Sequence, residues 1–302
     1  MSVTASVTNI SRASFHDGPG VRTVVYFKGC SLKCKWCHNP ETLSAQVQIL
    51  YAKNKCIHCG RCVQICPDHH RIVGEGMEYF REGCTACGKC ADACPSLALR
   101  VCGEEKTVDE LLLEIQKDAH HYIASGGGVT FSGGECLLYP DFLAELSARC
   151  KENGISTAVE SAFCVPWKNI ERVLPHIDLF FADLKIPSAE KHRELTGQDN
   201  RLIIDNIRTL SNLHGNIILR IPVIPTVNDS DEDIEGFASI IRTFGEGIRG
   251  AELLRYNHLA ESKYELIGKE YEKYASRNQN DAEMERLCTA LRDKPGRHCY
   301  FV

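Results

Sequence analysis

The spacing of the cysteines constrains this chain more than any other feature of its sequence. Seventeen of the 302 residues are cysteine, and eleven of them lie between positions 30 and 94. Disulfides are rare in reducing cellular compartments, where regularly spaced cysteines serve mainly as ligands. The other six stand apart in the sequence and are interpreted as small apolar core residues: Cys102, Cys136, Cys150, Cys164, Cys288 and Cys299.

Composition and charge exclude several classes of protein. The hydrophobic fraction of 43% is ordinary for a globular protein, and no run of about 20 apolar residues predicts a membrane helix. The net charge of -5 argues against a nucleic-acid-binding surface. Residues 1–12 have no basic start followed by an apolar run, so no secretory signal is indicated. We therefore expect a cytoplasmic protein with no nucleic-acid or membrane partner.

One cysteine pattern occurs twice within residues 51–101. Each copy reads C-x-x-C-x-x-C-x-x-x-C-P, the spacing with which bacterial ferredoxins hold two [4Fe–4S] clusters. In that pattern the first three cysteines of a run bind one cluster and the fourth binds the other. We predict one cluster on Cys56, Cys59, Cys62 and Cys94, and a second on Cys84, Cys87, Cys90 and Cys66. A pair of zinc sites is the alternative interpretation.

A third group of cysteines has a different spacing. Cys30, Cys34 and Cys37 read C-x-x-x-C-x-x-C and directly follow an apolar strand. Three thiolates leave one iron of a cubane without a protein ligand, and an open coordination position is typical of catalytic metal sites. His38 is the residue that could instead complete a closed site. The pattern favours a third, catalytic [4Fe–4S] cluster.

Outside residues 51–101, apolar strands alternate with amphipathic helices, which predicts βαβ units around a parallel sheet. We predict an α/β fold, a partial (β/α)6 TIM-type barrel of residues 1–50 and 102–302, with residues 51–101 inserted as a ferredoxin-like domain. The predicted strands are Val21–Phe27, Gly128–Phe131, Ile155–Glu160, Ile177–Leu184, Ile217–Val223, Ala251–Tyr256 and His298–Val302. The predicted helices are Val108–His121, Pro140–Asn153, Pro166–Leu174, Ser188–Leu195, Asp205–Leu213, Asp229–Phe244 and Asp281–Arg292.

Three further motifs extend over most of the chain. Residues 16–23 read HDGPGVRT, residues 126–135 read GGGVTFSGGE, and residues 183–185 read DLK. Together with the three-cysteine loop, they resemble the motifs of glycyl radical enzyme activating enzymes in the radical SAM superfamily. The repeated cysteine run makes the chain similar to the subset with an inserted two-cluster domain. The resemblance implies a radical SAM partial barrel.

The resemblance also implies the binding site of S-adenosylmethionine, whose amino and carboxylate groups chelate the open iron in that superfamily. The implied cofactor-binding residues are Trp36, Cys37, His38, Gly133, Gly134, Glu135, Glu160, Asp183, Leu184, Lys185 and Asn257. Glu135 is also expected to cap its loop. The implied catalytic residues are Lys185 and Asp17. The resemblance implies that Asp17 lies near the incoming substrate glycine. A monovalent cation is implied near Glu160 and Asp183.

Two positions depart from the family pattern. Ser161 follows Glu160 where relatives often carry threonine, so this position predicts neither the presence nor the absence of the cation. Asn257 stands where many relatives carry a histidine that touches the cofactor, and His258 falls one position later. Asparagine can form hydrogen bonds there but cannot titrate near neutral pH.

The activity that the resemblance implies is radical transfer to a partner protein. Flavodoxin or ferredoxin would donate an electron, S-adenosylmethionine would be cleaved to methionine and a 5′-deoxyadenosyl radical, and that radical would abstract a hydrogen atom from a glycine of a glycyl radical enzyme. Two alternatives remain: a radical SAM enzyme that acts on a small molecule or RNA, and a non-catalytic iron–sulfur electron carrier.

Overall fold

The computed structural model describes residues 3–74, 76–257, 259–293 and 298–301. The strands are β1 (Thr4–Ser14), β2 (Arg22–Phe27), β3 (Gln48–Tyr51), β4 (His70–Val73), β5 (Gly76–Tyr79), β6 (Leu99–Cys102), β7 (Glu104–Thr107), β8 (Gly128–Gly133), β9 (Ser156–Ser161), β10 (Leu179–Asp183), β11 (Ile217–Val223), β12 (Ile248–Arg255) and β13 (Cys299–Phe301). The α-helices are α1 (Arg61–Ile65), α2 (Lys89–Asp92), α3 (Val108–Gln116), α4 (Ala119–Ser125), α5 (Pro140–Glu152), α6 (Trp167–Val173), α7 (Ala189–Thr196), α8 (Arg201–Leu213), α9 (Asp231–Ile241), α10 (Glu261–Leu266) and α11 (Asp281–Asp293).

The central sheet is parallel over most of its width. Within the described residues, its nine strands run in the order β13-β12-β11-β10-β9-β8-β2-β1-β7. Neighbours from β2 to β13 are parallel, whereas β1 is antiparallel to both β2 and β7. β7 and β13 form the two edges, so the sheet is open. The predicted α/β class with a central parallel sheet is confirmed.

One apolar core joins this sheet to the helices that pack on it. Buried side chains of α3, α5, α6, α8, α9 and α11 pack with those of the parallel strands in a single cluster. β8 is buried along almost its whole length, as expected for a parallel strand covered on both faces. Among the helices of the described residues, none is both long enough and apolar enough to cross a membrane.

Several elements differ from the sequence prediction. The helix predicted over residues 108–121 is divided into α3 and α4, because the Asp118 carboxylate turns inward and accepts a hydrogen bond from Thr23 Oγ1 at 2.7 Å. Thr107 and Glu110 form a capping box at the start of α3. Pro166 precedes α6 as its N-cap and does not lie in the first turn. The end of the last predicted strand, residue 302, lies outside the described residues.

The residues between β3 and β6 form a subsidiary unit. β3 and β6 pair antiparallel, so that Gln48 faces Cys102 and Tyr51 faces Leu99. β4 and β5 form a second antiparallel pair. The unit has its own apolar cluster, separate from the main core. The two ends of this unit, at Gln48 and Cys102, are therefore neighbours in space.

Lys28 links this unit to the main sheet. Its side chain is fully buried, and Nζ donates hydrogen bonds to the carbonyl oxygen of Glu41 at 2.7 Å and to Gln48 Oε1 at 3.2 Å. Nζ also lies 3.9 Å from Cys102 Sγ. Because Gln48 and Cys102 form the base of the inserted unit, a single lysine connects that base to the segment that leads into the three-cysteine loop.

Candidate functional site

A cavity of about 550 Å³ opens where the parallel strands end. The carboxyl ends of parallel strands are where such folds bind ligands, and ligand pockets typically measure roughly 300–1,000 Å³. Twelve of the residues predicted to hold the third cluster, to bind S-adenosylmethionine or to act in catalysis line this cavity: Asp17, Cys30, Cys34, Trp36, Cys37, His38, Gly133, Gly134, Glu160, Asp183, Lys185 and Asn257.

The three-cysteine loop, residues 30–37, forms one wall of the cavity. Its backbone is held by hydrogen bonds from Lys33 N to Thr196 O at 2.7 Å and from Lys35 N to Leu195 O at 3.1 Å. Both acceptors belong to the end of α7. The protein therefore fixes the position of this loop through main-chain contacts.

The thiols of this loop lie in a largely dehydrated environment. Cys34 is buried, and Cys30 and Cys37 are half-buried. Burial raises the pKa of the Cys37 thiol to about 12, and it also raises the pKa of Cys30. Without a bound metal the thiols are therefore neutral, and cluster binding has to release their protons.

Gly133 and Gly134 allow two loops to pack backbone against backbone. Gly133 has a φ angle of +114°, and a Cβ atom there would lie 2.2 Å from the backbone nitrogen of Phe27. A Cβ atom on Gly134 would lie 2.1 Å from the carbonyl oxygen of Gly29. Contacts this short exclude any side chain, so the glycines are needed to pack this loop against the start of the three-cysteine loop.

Glu135 and Leu184 do not line the cavity, in contrast to the sequence prediction. The buried Glu135 carboxylate accepts hydrogen bonds from Ser161 Oγ at 2.8 Å and from the backbone nitrogens of Leu137 at 3.2 Å and Ala162 at 3.1 Å. Burial raises the pKa of Glu135 to about 7. Leu184 packs into the main core. Glu135 caps its loop and ties it to the end of β9.

Two acidic and two basic side chains meet in the cavity. Lys185 Nζ lies 2.8 Å from Asp183 Oδ2, and Arg220 Nη1 lies 2.6 Å from Glu160 Oε1. Ser132 Oγ also donates to Glu160 at 2.7 Å. Although burial opposes ionisation, Arg220 holds the pKa of Glu160 below its usual value. Burial also disfavours the Lys185 cation, yet Asp183 keeps the pKa of Lys185 above its usual value. Each of these two acidic side chains therefore has a basic partner.

Arg220 is a site residue that the sequence analysis did not identify. Its Nε lies 2.6 Å from Glu252 Oε2, and its Nη2 donates to the carbonyl oxygen of His16 at 2.6 Å. Its guanidinium carbon lies 3.9 Å from the centre of the Phe181 ring. The available signal was an arginine inside the apolar strand 217–223, next to a strand that carries a glutamate.

Asp17 lies on the loop that Arg220 holds. Its carboxylate accepts a hydrogen bond from the Ser14 hydroxyl, and its carbonyl oxygen accepts one from Thr130 Oγ1 at 2.6 Å. Burial and the nearby Glu160 raise the pKa of Asp17. The loop of residues 16–20 is thereby fastened to β8 and β11 at the border of the cavity.

Asn257 borders the cavity on the side of β12. Its Oδ1 accepts a hydrogen bond from the backbone nitrogen of Leu259 at 3.2 Å. His258, the alternative for this contact, lies outside the described residues.

Seven of the eight cysteines of the inserted unit fall into two groups. Cys56, Cys59, Cys62 and Cys94 line one pocket. In the other group, burial and the neighbouring Cys84 and Cys66 raise the pKa of Cys90 to about 11. Cys94 therefore lies with the first run and Cys66 with the second.

The cysteine geometry was also compared with that of single-ion sites. In the part of the chain that the structure describes, no three His, Cys, Asp or Glu side chains converge as the ligands of one metal ion do. Thiolates that hold a cubane bind different irons, so they surround a volume and do not meet at one point.

Comparison with known proteins places these features in a family. Residues 24–238 match the model of the radical SAM superfamily. The chain is 41% identical over 294 residues, 95% of each chain, to the choline trimethylamine-lyase activating enzyme of Oleidesulfovibrio alaskensis. It is 42% identical over 272 residues, 88% of this chain and 86% of the relative, to the (2S)-3-sulfopropanediol dehydratase activating enzyme of Klebsiella oxytoca. The indoleacetate decarboxylase activating enzyme of Tractidigestivibacter scatoligenes is 40% identical and covers 95% of this chain and 94% of its own.

Solved structures agree on the fold. A domain of a pyruvate-formate lyase-activating enzyme from Bacteroides vulgatus superposes with a TM-score of 0.50 and 26% identity, covering 59% of this chain and 99% of that one. A radical SAM methyltransferase from Sphaerobacter thermophilus shares the fold alone, with a TM-score of 0.56 at 14% identity, over 98% of this chain and 76% of that one. The chain therefore belongs to the radical SAM superfamily and, within it, to the glycyl radical enzyme activating enzymes.

Proposed function

We propose that this protein abstracts a hydrogen atom from a glycine of a partner glycyl radical enzyme, which then stores the radical. The observation that carries the proposal is a single cavity that joins the three-cysteine loop to Lys185 and to the loop of Asp17. The relatives described above activate a lyase, a dehydratase and a decarboxylase. We infer a partner of one of these types.

The cavity residues fit a [4Fe–4S] cluster and S-adenosylmethionine. Cys30, Cys34 and Cys37 offer three thiols on one wall, and the cavity beside them has the size of a cofactor site. When bound, this pair supplies the reductive cleavage to methionine and 5′-deoxyadenosine by which a hydrogen atom is abstracted. The protein contributes binding, orientation and the exclusion of water.

Charged and aromatic residues match the parts of S-adenosylmethionine. Lys185 is suited to the methionine carboxylate, because Asp183 keeps its ammonium group charged inside the protein. Trp36 borders the cavity and packs edge-on against Tyr274, with 6.1 Å between ring centres. That contact fixes the indole plane beside which we place the adenine.

A monovalent cation near Glu160 and Asp183 is a further part of the proposal. Both carboxylates already have cationic partners, Arg220 and Lys185. If Lys185 turns to the methionine carboxylate, Asp183 loses its partner and becomes available to a cation. We infer that the cation binds together with S-adenosylmethionine.

We propose that Asp17 meets the substrate glycine. Its loop borders the cavity and is held from below by Arg220 through the His16 carbonyl. Its carboxyl group can form hydrogen bonds with the backbone of an incoming glycine loop. We assign Asp17 to the positioning of the partner's glycine loop.

We propose that residues 51–101 are a ferredoxin-like domain with two clusters, which gives three [4Fe–4S] clusters in the protein. The grouping of Cys94 with the first cysteine run and of Cys66 with the second supports this proposal. It is the crossed arrangement by which ferredoxins hold two cubanes.

The first cysteine group has a basic border that fits an acidic electron donor such as flavodoxin or ferredoxin. Cys59 is exposed, and so are the neighbouring Lys53, Lys55 and Arg61. Like-signed surface charges of this kind steer an oppositely charged partner to its docking site. We infer that the donor docks on this side of the inserted domain.

The second cysteine group adjoins the contact with the three-cysteine loop. Arg81, which precedes Cys84, donates to the carbonyl oxygen of Leu266 at 2.6 Å, at the end of α10. From the same helix, Tyr264 donates to the carbonyl oxygen of Lys35 at 3.1 Å. α10 thus touches both the inserted domain and the three-cysteine loop, which supports a relay role for the insert.

The direct test uses anaerobically reconstituted protein with dithionite and S-adenosylmethionine. The expected products are methionine and 5′-deoxyadenosine, formed by the wild type and absent with Cys34→Ala. Added glycyl radical enzyme should acquire a glycyl radical signal in electron paramagnetic resonance. Cleavage without a radical in any such enzyme would favour a small-molecule or RNA target. Three clusters without cleavage would favour an electron carrier.

A further inference from the structure

Two cysteines that stand apart in the sequence meet inside the protein. Cys288 lies on α11 and Cys299 on β13, and their sulfur atoms are 2.9 Å apart. Both are buried, with exposed fractions of 0% and 1%. The sequence interpretation treated them as isolated apolar residues, whereas the structure makes them a pair. Neither belongs to the predicted cluster ligands.

The surroundings of the pair bear on its chemistry. Arg292 Nε donates to the carbonyl oxygen of Cys299 at 2.6 Å, which brings a cation close to the thiols. Burial raises the pKa of Cys299, and Arg292 opposes that effect. A small apolar pocket bordered by Leu291, His298 and Cys299 adjoins the pair, with a volume of about 10 Å³.

We propose that Cys288 and Cys299 form a reversible disulfide that tethers β13 to α11. The oxidant is a low-molecular-weight disulfide of the glutathione type. One cysteine attacks it, forms a mixed disulfide and releases the first small thiol; the second cysteine then attacks the mixed disulfide and releases the second. Two protein thiols are oxidised, one small disulfide is reduced, and the two protons end on the two released thiols.

The tether would stabilise one border of the cavity. β13 is an edge strand of the sheet and pairs with β12, with Cys299 opposite Ala251. Arg255, at the end of β12, borders the cavity, stacks on the Phe301 ring at 4.9 Å and pairs with Asp281 at the start of α11. A covalent link between β13 and α11 therefore holds the elements that position Arg255.

Peptide mapping tests the proposal on reconstituted holoprotein. The protein is incubated anaerobically with oxidised glutathione, alkylated and digested with trypsin, which cleaves after Arg286 and Arg292 and so separates the two cysteines. Mass spectrometry without reduction should find the Cys288 and Cys299 peptides joined in most molecules. Reduction before alkylation should abolish the joined species. Separate alkylation or separate glutathione adducts on both cysteines would overturn the proposal.

Matched variants separate a tether from general oxidation. Oxidation should raise the thermal midpoint of the wild type and of Cys150→Ser, a variant at another fully buried cysteine. It should leave the midpoint of Cys288→Ser and Cys299→Ser unchanged. A joined peptide without any rise in the midpoint would refute the stabilising role. If a serine variant does not fold, the wild-type peptide map decides alone.

Discussion

Arg220 and Glu252 form a buried ion pair beside the cavity, with 2.6 Å between Nε and Oε2. The two residues are direct neighbours in the register of β11 and β12. The same guanidinium holds Glu160 and the His16 carbonyl. Glu252 does not line the cavity itself, so it acts as a positioning residue: it orients the arginine that fixes both the acidic side chain and the loop of Asp17.

Replacement of Glu252 should lower the stability of the protein. Glu252→Ala leaves Glu160 as a carboxylate partner of Arg220 but removes the acceptor of the buried Nε, and a buried donor left without its acceptor costs about 1–3 kcal/mol. We expect a lower thermal midpoint and weaker binding of S-adenosylmethionine, measured by circular dichroism and equilibrium dialysis. Glu104→Ala breaks the exposed pair with Lys106 and should change little. Equal effects of the two variants would contradict the role of Glu252.

The sequence predicts the strands, helices and motifs of this site better than the contacts between them. The parallel strands lie within a few residues of the prediction, because most of them are apolar runs followed by a helical pattern. β1 was not predicted, since its sequence TASVTNISRAS is polar and half-exposed and gains its partners only from β2 and β7. The β-propensity of a segment does not show which distant strands it will pair with.

Side-chain contacts between residues distant in sequence could likewise not be predicted. Arg220 and Glu252 are visible as charges in apolar strands, but only the register of two strands distant in sequence shows that they are paired. The contact of Cys288 and Cys299 depends in the same way on the packing of α11 against β13. Motif spacing placed the cysteine loop, the Gly-Gly-Glu segment and Lys185 because those features are local.

Lys185 should determine the affinity for S-adenosylmethionine. Lys185→Met removes the proposed partner of the methionine carboxylate and leaves Asp183 in the cavity without its cation. We expect at least a tenfold loss of affinity, which corresponds to about 1.4 kcal/mol. Lys191→Met is the control, since Lys191 pairs with Asp233 at 3.5 Å and is absent from the cavity lining. Unchanged affinity of Lys185→Met would contradict this assignment.

Lys28 should couple the inserted unit to the three-cysteine loop. Lys28→Met leaves the Glu41 carbonyl and the Gln48 side chain without their buried donor, at a cost of about 1–3 kcal/mol. We expect iron–sulfur absorbance to be lost at a lower temperature than in the wild type. Lys35→Met replaces an exposed lysine of the loop and serves as the control. Coincident melting of both variants would show that Lys28 makes no such link.

The cluster assignments predict separable losses of iron. Cys94→Ser should disturb the group of Cys56, Cys59 and Cys62, so that iron falls from about 12 to about 8 atoms per chain if three four-iron clusters are present.

Dithionite should still support cleavage of S-adenosylmethionine by Cys94→Ser, while flavodoxin-driven cleavage should fall, because the proposed docking side is damaged. Cys34→Ser should lose a similar amount of iron and all cleavage with either reductant. Cys102→Ser, at a buried cysteine outside the ligand sets, should keep its full iron content. Equal flavodoxin-driven and dithionite-driven rates in Cys94→Ser would show that the donor bypasses the inserted domain.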